Sequence, residues 1–143
     1  LEQLRLKPAE TTAIVQGFGN VGGVAAHTLV RRMGAKLVGL SDHTAAYYDP
    51  KGLDLDSLEA HAREHNGMLA GWSKQAAIDP ALLIEQKCDV LVPAAVERVI
   101  TGANAARIQC RVLAEGANGP TTPEADRILD ERKNELFIIP DIL

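Results

Sequence analysis

Apolar residues along this chain follow two alternating rhythms: short runs with no polar interruption, and longer stretches with a single apolar face. Thr12, Ala13, Ile14, Val15 and Gln16 form the first run, closed by Gly17. An unbroken aliphatic run of this kind predicts a strand buried on both faces. Residues 21–33 follow, with Val21, Val24, Ala25, Leu29 and Met33 on one side and Arg31 and Arg32 outside, which predicts an amphipathic helix stopped at Gly34. Further strands are predicted at 36–40, 89–93, 111–114 and 136–139. Further helices are predicted over 56–65, from Pro80 to about Gln86, over 101–108, and from Pro123 to about Lys133. Asp79 before Pro80, Thr101, and Thr122 before Pro123 supply the capping chemistry. Residues 46–52 read as a small hairpin or extended excursion closed by Pro50 and Gly52, 68–77 fit neither rhythm, and 116–122 read as loop. Strands alternating with helices predict an α/β fold with a doubly wound, mostly parallel sheet and helices on both faces.

Composition narrows the class. The chain has 143 residues, 46% of them hydrophobic and 24% charged, enough for one domain with a packed core. Aromatics make up only 3%, so that core is aliphatic. Net charge is -4 and no Lys/Arg cluster stands out, so nothing marks a nucleic-acid surface. No apolar run reaches the length of a membrane-spanning helix, and no secretory signal is visible. Cys88 and Cys110 have neither metal-like nor redox-like spacing, and two buried, reduced thiols are expected. The chain opens at Leu1 in a segment (Leu1, Leu4, Leu6) that reads as the tail of a helix and closes at Leu143 after an apolar run. Residues 1–143 are therefore expected to be one domain excised from a longer protein.

The chemistry begins where the first strand ends. Gly17, Phe18, Gly19, Asn20, Val21 and Gly22 spell G-x-G-x-x-G between a strand and a helix, the context in which that pattern binds a dinucleotide. Gly17 makes the tight turn, Gly19 lets the backbone approach a pyrophosphate, and Gly22 lets helix and strand pack closely. The unpaired N–H groups and dipole of the helix start favour the phosphate anion. Asp42, 20 residues after Gly22 and just past the second strand, can accept hydrogen bonds from an adenine-ribose diol, with Ser41 beside it. The bland alternative is a ligand-free glycine turn and an Asp that caps a loop. Together these features predict a Rossmann-like NAD(P)-binding domain.

A second polar cluster falls at the carboxyl ends of later strands, where ligands of open parallel sheets bind. Ala94 and Ala95, after Pro93, are small enough for a flat ring to lie against the backbone. Asn118 carries a donor and an acceptor, matching a carboxamide; the alternative is that Asn118 and Gly119 form only a turn.

These residues resemble a known family. The string from Val15 to Gly22 is similar to the nucleotide fingerprint of the glutamate, leucine, phenylalanine and valine dehydrogenases. The string from Ala114 to Ala125 resembles their second signature, and Pro140, Asp141, Ile142 and Leu143 resemble the strand leading back to their other domain. Ser41 and Asp42, followed by the excursion from Tyr48 to Asp54, resemble the glutamate branch. The resemblance implies reversible oxidative deamination, L-glutamate with NAD(P)+ and water giving 2-oxoglutarate, ammonium and NAD(P)H. It implies coenzyme contacts at Gly17, Gly19, Gly22, Asp42, Ala94, Ala95 and Asn118. NAD is the implied coenzyme and NADP the alternative. The family's catalytic Lys and Asp lie in a preceding substrate domain that nothing here matches, so glutamate and 2-oxoglutarate would be partners only with that domain. A homo-hexamer is implied for the full-length protein, in the cytoplasm or, in a eukaryote, the mitochondrial matrix. Ala45 departs from the family's frequent Gly, and Arg98 and Val99 stand where Asn and Gln are frequent.

Some features invite other readings. His61, Glu64 and His65 match the zinc-peptidase pattern H-x-x-E-H, but they also fit the exposed side of a helix with Leu58 and Ala62 inward. His27 reads as a surface or boundary residue, and Trp72, the only tryptophan, as a local packing anchor. Two functional alternatives remain open: a module that senses NAD without chemistry, and a relative acting on leucine, phenylalanine or valine.

Overall fold

The structure, a computed structural model, describes residues 11–17, 20–32, 34–93, 104, 107–110, 112–114, 123–131 and 137–139. Its elements in chain order are β1 (Thr12–Gln16), α1 (Asn20–His27), β2 (Lys36–Ser41), β3 (Ala46–Tyr48), α2 (Leu55–Glu64), α3 (Pro80–Leu83), β4 (Val90–Pro93), β5 (Val112–Ala114), α4 (Pro123–Glu131) and β6 (Phe137–Ile139). The six strands form one sheet in the order β3-β2-β1-β4-β5-β6. All pairings are parallel except β2 with β3, an antiparallel hairpin that turns at 42–45; the excursion expected at 46–52 supplies only its second strand, and Pro50 and Gly52 follow that strand without closing a hairpin of their own. Successive strands move outward from β1 in one direction up to β3 and then restart on its other side at β4. The connection order therefore reverses between β1 and β4, whose ends align at Gln16 and Pro93.

The uninterrupted apolar runs have the expected cause: β1, β2, β4 and β5 place buried residues on both faces of the sheet. Ala13 and Val15 join Val90, Val92 and Val112 in one cluster with Ala26 and Leu29 after α1's start and Leu55, Leu58 and Ala62 of α2. Ile14, Leu91 and Leu113 point the other way, into a cluster with Leu83 of α3 and, at its margin, Ile128 of α4. Among the described residues, α1 and α2 thus pack on one face and α3 and α4 on the other. In β2 the alternation breaks: Ala13 pairs with Leu37 but Ile14 with Gly39, so Val38 is an extra residue. A side chain at Gly39 would lie 2.9 Å from both Ile14 Cγ1 and Leu83 Cδ1, so the bulge needs a residue without one.

The helix expected over 21–33 begins at Asn20, but after His27 it widens into π-helical geometry over Thr28–Arg32. Ala35 N–H donates to Leu29 O at 2.8 Å, and Gly34, at φ +71°, ends the segment as expected. α2 starts one residue earlier than expected because Asp54 caps it, its carboxylate accepting from Ser57 N–H at 3.1 Å. The helix expected to run to Gln86 is helical only over Pro80–Leu83. Its continuation closes with i→i+3 bonds, Glu85 N–H to Leu82 O and Gln86 N–H to Leu83 O. Most of the helix expected over 101–108 lies outside the described residues, as does the loop at 116–122.

At the amino end of the sheet, Asp89 ties β1 to β4. Its Oδ2 accepts from Thr12 N–H at 2.9 Å, and its own N–H donates to Thr12 O at 3.0 Å. The opposite end carries the carboxyl ends of β1, β2 and β4, at Gln16, Ser41 and Pro93.

Candidate functional site

β1 ends in a turn that only glycine makes easily. Gly17 has φ +96°, in the region where an L side chain is strained. Its N–H donates to Ser41 O at 2.9 Å, with Ser41 Oγ also at 3.3 Å, so the turn is pinned to the end of β2. Ser41 is buried. Three residues on, Asn20, Val21 and Gly22 form the first turn of α1, whose N–H groups have no partners within the helix. That turn holds no acidic residue, so no side chain of the helix neutralises the positive end of its dipole.

Gln16, the last residue of β1, adds a group that the motif reading passed over. Its Oε1 is buried and accepts no hydrogen bond. A buried acceptor without a donor costs about 1–3 kcal/mol. Placed at the point of strand-order reversal, it suits a donor brought by a ligand or a bridging water. The signal in the sequence was a long polar side chain closing an otherwise aliphatic strand.

Asp42 lies just past β2, half-buried, and its carboxylate is heavily engaged. Oδ1 accepts from Thr44 N–H at 2.7 Å, Thr44 Oγ1 at 2.6 Å and Ala45 N–H at 3.0 Å. Oδ2 accepts from Leu69 N–H at 2.8 Å. Burial by itself would raise the carboxyl's pKa, but these hydrogen bonds from Thr44, Leu69 and Ala45 outweigh it and hold the group below the ordinary aspartate value. The loop-capping alternative is thus realised. It does not exhaust the group: each carboxylate oxygen offers about two lone-pair positions, and Oδ2 uses one.

Of the expected site residues, the structure brings together Gly17, Ser41 and Asp42, with the backbone of Asn20, Val21 and Gly22. Phe18, Gly19, Ala94, Ala95 and Asn118 lie outside the described residues. The segment 69–72 was not anticipated beside Asp42, because Leu69 comes from a stretch with no periodicity. His61 and His65 stack at 3.9 Å, and each uses a ring nitrogen on a backbone oxygen, His61 Nε2 on Ala70 O and His65 Nδ1 on His61 O, both 2.7 Å. Two cavities lie away from the β1 turn. One, of about 460 Å³, is lined by His27, Glu59, Ala62, Arg63 and Gly67. The other, of about 320 Å³, lies between the stretch from Tyr48 to Leu53 and the stretch from Trp72 to Ala76.

A parallel sheet wound in two directions from β1, with a positive-φ glycine turn feeding a helix at the reversal, defines the Rossmann-like α/β class. The comparisons agree and go further. The family profile for Glutamate/Leucine/Phenylalanine/Valine dehydrogenase matches residues 1–143, and the chain belongs to that family. It is 43% identical over 143 residues to the glutamate dehydrogenase of Thermotoga maritima, covering all of this chain and 34% of that enzyme. It is 45% identical over 130 residues to the NAD-specific glutamate dehydrogenase of Staphylococcus aureus, covering 91% of this chain and 30% of that enzyme. The solved hetero-hexameric glutamate dehydrogenase of Thermus thermophilus, in a leucine-bound form, superposes with a TM-score of 0.82 at 25% identity, over 99% of this chain and 32% of that one. The chain thus spans about a third of the length of the relatives it matches.

Proposed function

We propose that this chain is the coenzyme-binding domain of an NAD(P)-dependent amino-acid dehydrogenase, a glutamate dehydrogenase, and that NAD is the preferred coenzyme. The observation that carries this reading is the Gly17 turn at the strand-order reversal, pinned to Ser41 and opening into α1. The residues present fit the coenzyme: an orphaned buried acceptor at Gln16, a first turn of α1 that holds no acidic residue, and Asp42 Oδ2, which among the described residues accepts only from Leu69 N–H. When bound, NAD supplies the nicotinamide that accepts or returns a hydride. The chain's own part is to hold and orient. The backbone at Gly17, Phe18, Gly19, Asn20, Val21 and Gly22 receives the pyrophosphate, Ser41 and Asp42 the adenine ribose, and Ala94, Ala95 and Asn118 the nicotinamide side. Asp42 favours NAD because its carboxylate accepts from a 2′-hydroxyl and repels a 2′-phosphate. Glutamate, the acid/base groups and a hexameric assembly belong in this reading to the rest of a longer enzyme.

The test is titration of the 143-residue chain with NADH, followed by the fluorescence of the reduced nicotinamide, alongside an assay of glutamate oxidation. Saturable binding without turnover is expected. A folded chain that leaves NADH fluorescence unchanged would overturn the coenzyme reading, and glutamate turnover by this chain alone would overturn the division of labour.

A further inference from the structure

We propose that Tyr47 is a positioning residue for the coenzyme's adenine ribose, acting through the segment 69–72 on the carboxylate of Asp42; this rests on the coenzyme reading above. Tyr47 is 1% exposed, at the centre of β3, and a phenol buried so completely needs partners for its hydroxyl. It has two. The hydroxyl donates to Leu69 O at 2.6 Å and accepts from Trp72 N–H at 3.1 Å. One oxygen therefore holds both ends of a four-residue segment, and Trp72 closes over the ring edge-on, with centroids 5.2 Å apart. The segment has further ties. Ala70 N–H donates to Thr44 Oγ1 at 3.1 Å, and Trp72 Nε1 donates to Ser57 Oγ at 2.9 Å.

The consequence falls on Asp42. Three donors occupy Oδ1, so Oδ2 is the oxygen left to take a ribose hydroxyl, and its direction is set by its one donor among the described residues, Leu69 N–H. Leu69 is itself 0% exposed, and its carbonyl is the group that Tyr47 grips. The tyrosine hydroxyl thus fixes a peptide unit whose neighbour fixes the carboxylate. The ribose is held by one aimed acceptor, not by a freely rotating pair, and its recognition depends on a residue that does not touch it.

Tyr47→Phe keeps the ring and its contact with Trp72 and removes only the hydroxyl. The measurement is the pair of dissociation constants for NADH and NADPH, with near-ultraviolet circular dichroism as the folding control. NADH should bind about fivefold more weakly, as expected for an imperfectly made hydrogen bond to a charged acceptor. NADPH, which presents no 2′-hydroxyl, should change little, so the preference for NADH falls by a similar factor. In an Asp42→Ser background the same substitution should leave the ratio unchanged. An unaltered ratio in the native background, or an equal shift in the Asp42→Ser background, overturns the proposal while leaving the coenzyme reading intact. If the unsubstituted chain binds no NADH, both fall together. Should Tyr47→Phe fail to fold, Thr44→Val, which removes the Ala70 tie and one Oδ1 donor, must lower the same ratio or the proposal is wrong.

Discussion

The carboxylate of Asp42 accepts the amide hydrogen of Leu69, 27 positions further along the chain, at 2.8 Å. Together with Thr44 and Ala45, this makes Asp42 a loop organiser before any ligand arrives. The stability of the domain should therefore depend on its ionisation. Because the folded pKa lies below 3.8, the contribution is complete well above that value, where both states are ionised. It declines as pH falls below 3.8, where the unfolded chain takes up the proton first. Asp42→Ser should destabilise by about 1–2 kcal/mol at pH 7, reduced by the group's partial exposure to water. Thermal unfolding of both forms between pH 7 and 2.5 tests this, and a difference that fails to shrink in acid contradicts it.

The Gly17 turn leads to a second expectation. Valine at φ +96° is strained by roughly 1–3 kcal/mol and would also displace the strand end from Ser41. Gly17→Val should lower the denaturant midpoint and raise the NADH dissociation constant at least tenfold; full retention of affinity would move the phosphate site elsewhere.

Gly39 offers a purely structural prediction. An alanine methyl would lie 2.9 Å from Ile14 Cγ1 and Leu83 Cδ1, both in a packed core. Gly39→Ala should cost about 1–3 kcal/mol by overpacking. Leu83→Ala opens space at the same spot, so the two substitutions combined should be less harmful than their sum. Additive losses in urea unfolding would show that the bulge relaxes instead.

Cys88 is 4% exposed, and burial, then the nearby Cys110 and Asp89, push its thiol far above the ordinary cysteine value. At pH 8 neither cysteine should react with a thiol-specific disulfide reagent on the timescale of the unfolded control, and both should react fully in guanidinium chloride. Prompt reaction of the native chain would mean that this end of the sheet opens readily.

Much of this architecture was legible because local chemistry and the fold agree. The aliphatic run of β1, the glycine turn, the Gly34 stop and the Asp79-Pro80 start each combine propensity, capping and burial in one short stretch. Other features were not legible for equally physical reasons. The π-helical turn at Thr28–Arg32 has the composition of an ordinary amphipathic helix. The β2 bulge arises from how Ile14 and Leu83 pack, although a glycine inside a strand hinted at it. The donors to Asp42 were half visible: Thr44, two residues on, is a standard local partner. Leu69 is reached only because Tyr47 and Thr44 fold the irregular segment back. The orphaned oxygen of Gln16 was not legible either, since a sequence does not reveal which buried polar atoms find partners.

The β2–β3 hairpin carries a consequence for how copies of this chain meet. A strand at a sheet margin normally presents a ladder of unused amides and carbonyls to any other extended segment. Here Tyr48 N–H already donates to Ala76 O at 2.8 Å, and Ala46 O already accepts from Ile78 N–H at 3.0 Å. The irregular stretch at 76–78 lies along β3 and occupies these outward-facing groups, with a bridge between Tyr47 and Ala77. That margin is closed by the chain itself, so neighbouring molecules cannot extend the sheet there without first peeling the segment away, and any ordered association must use side-chain surfaces or another border.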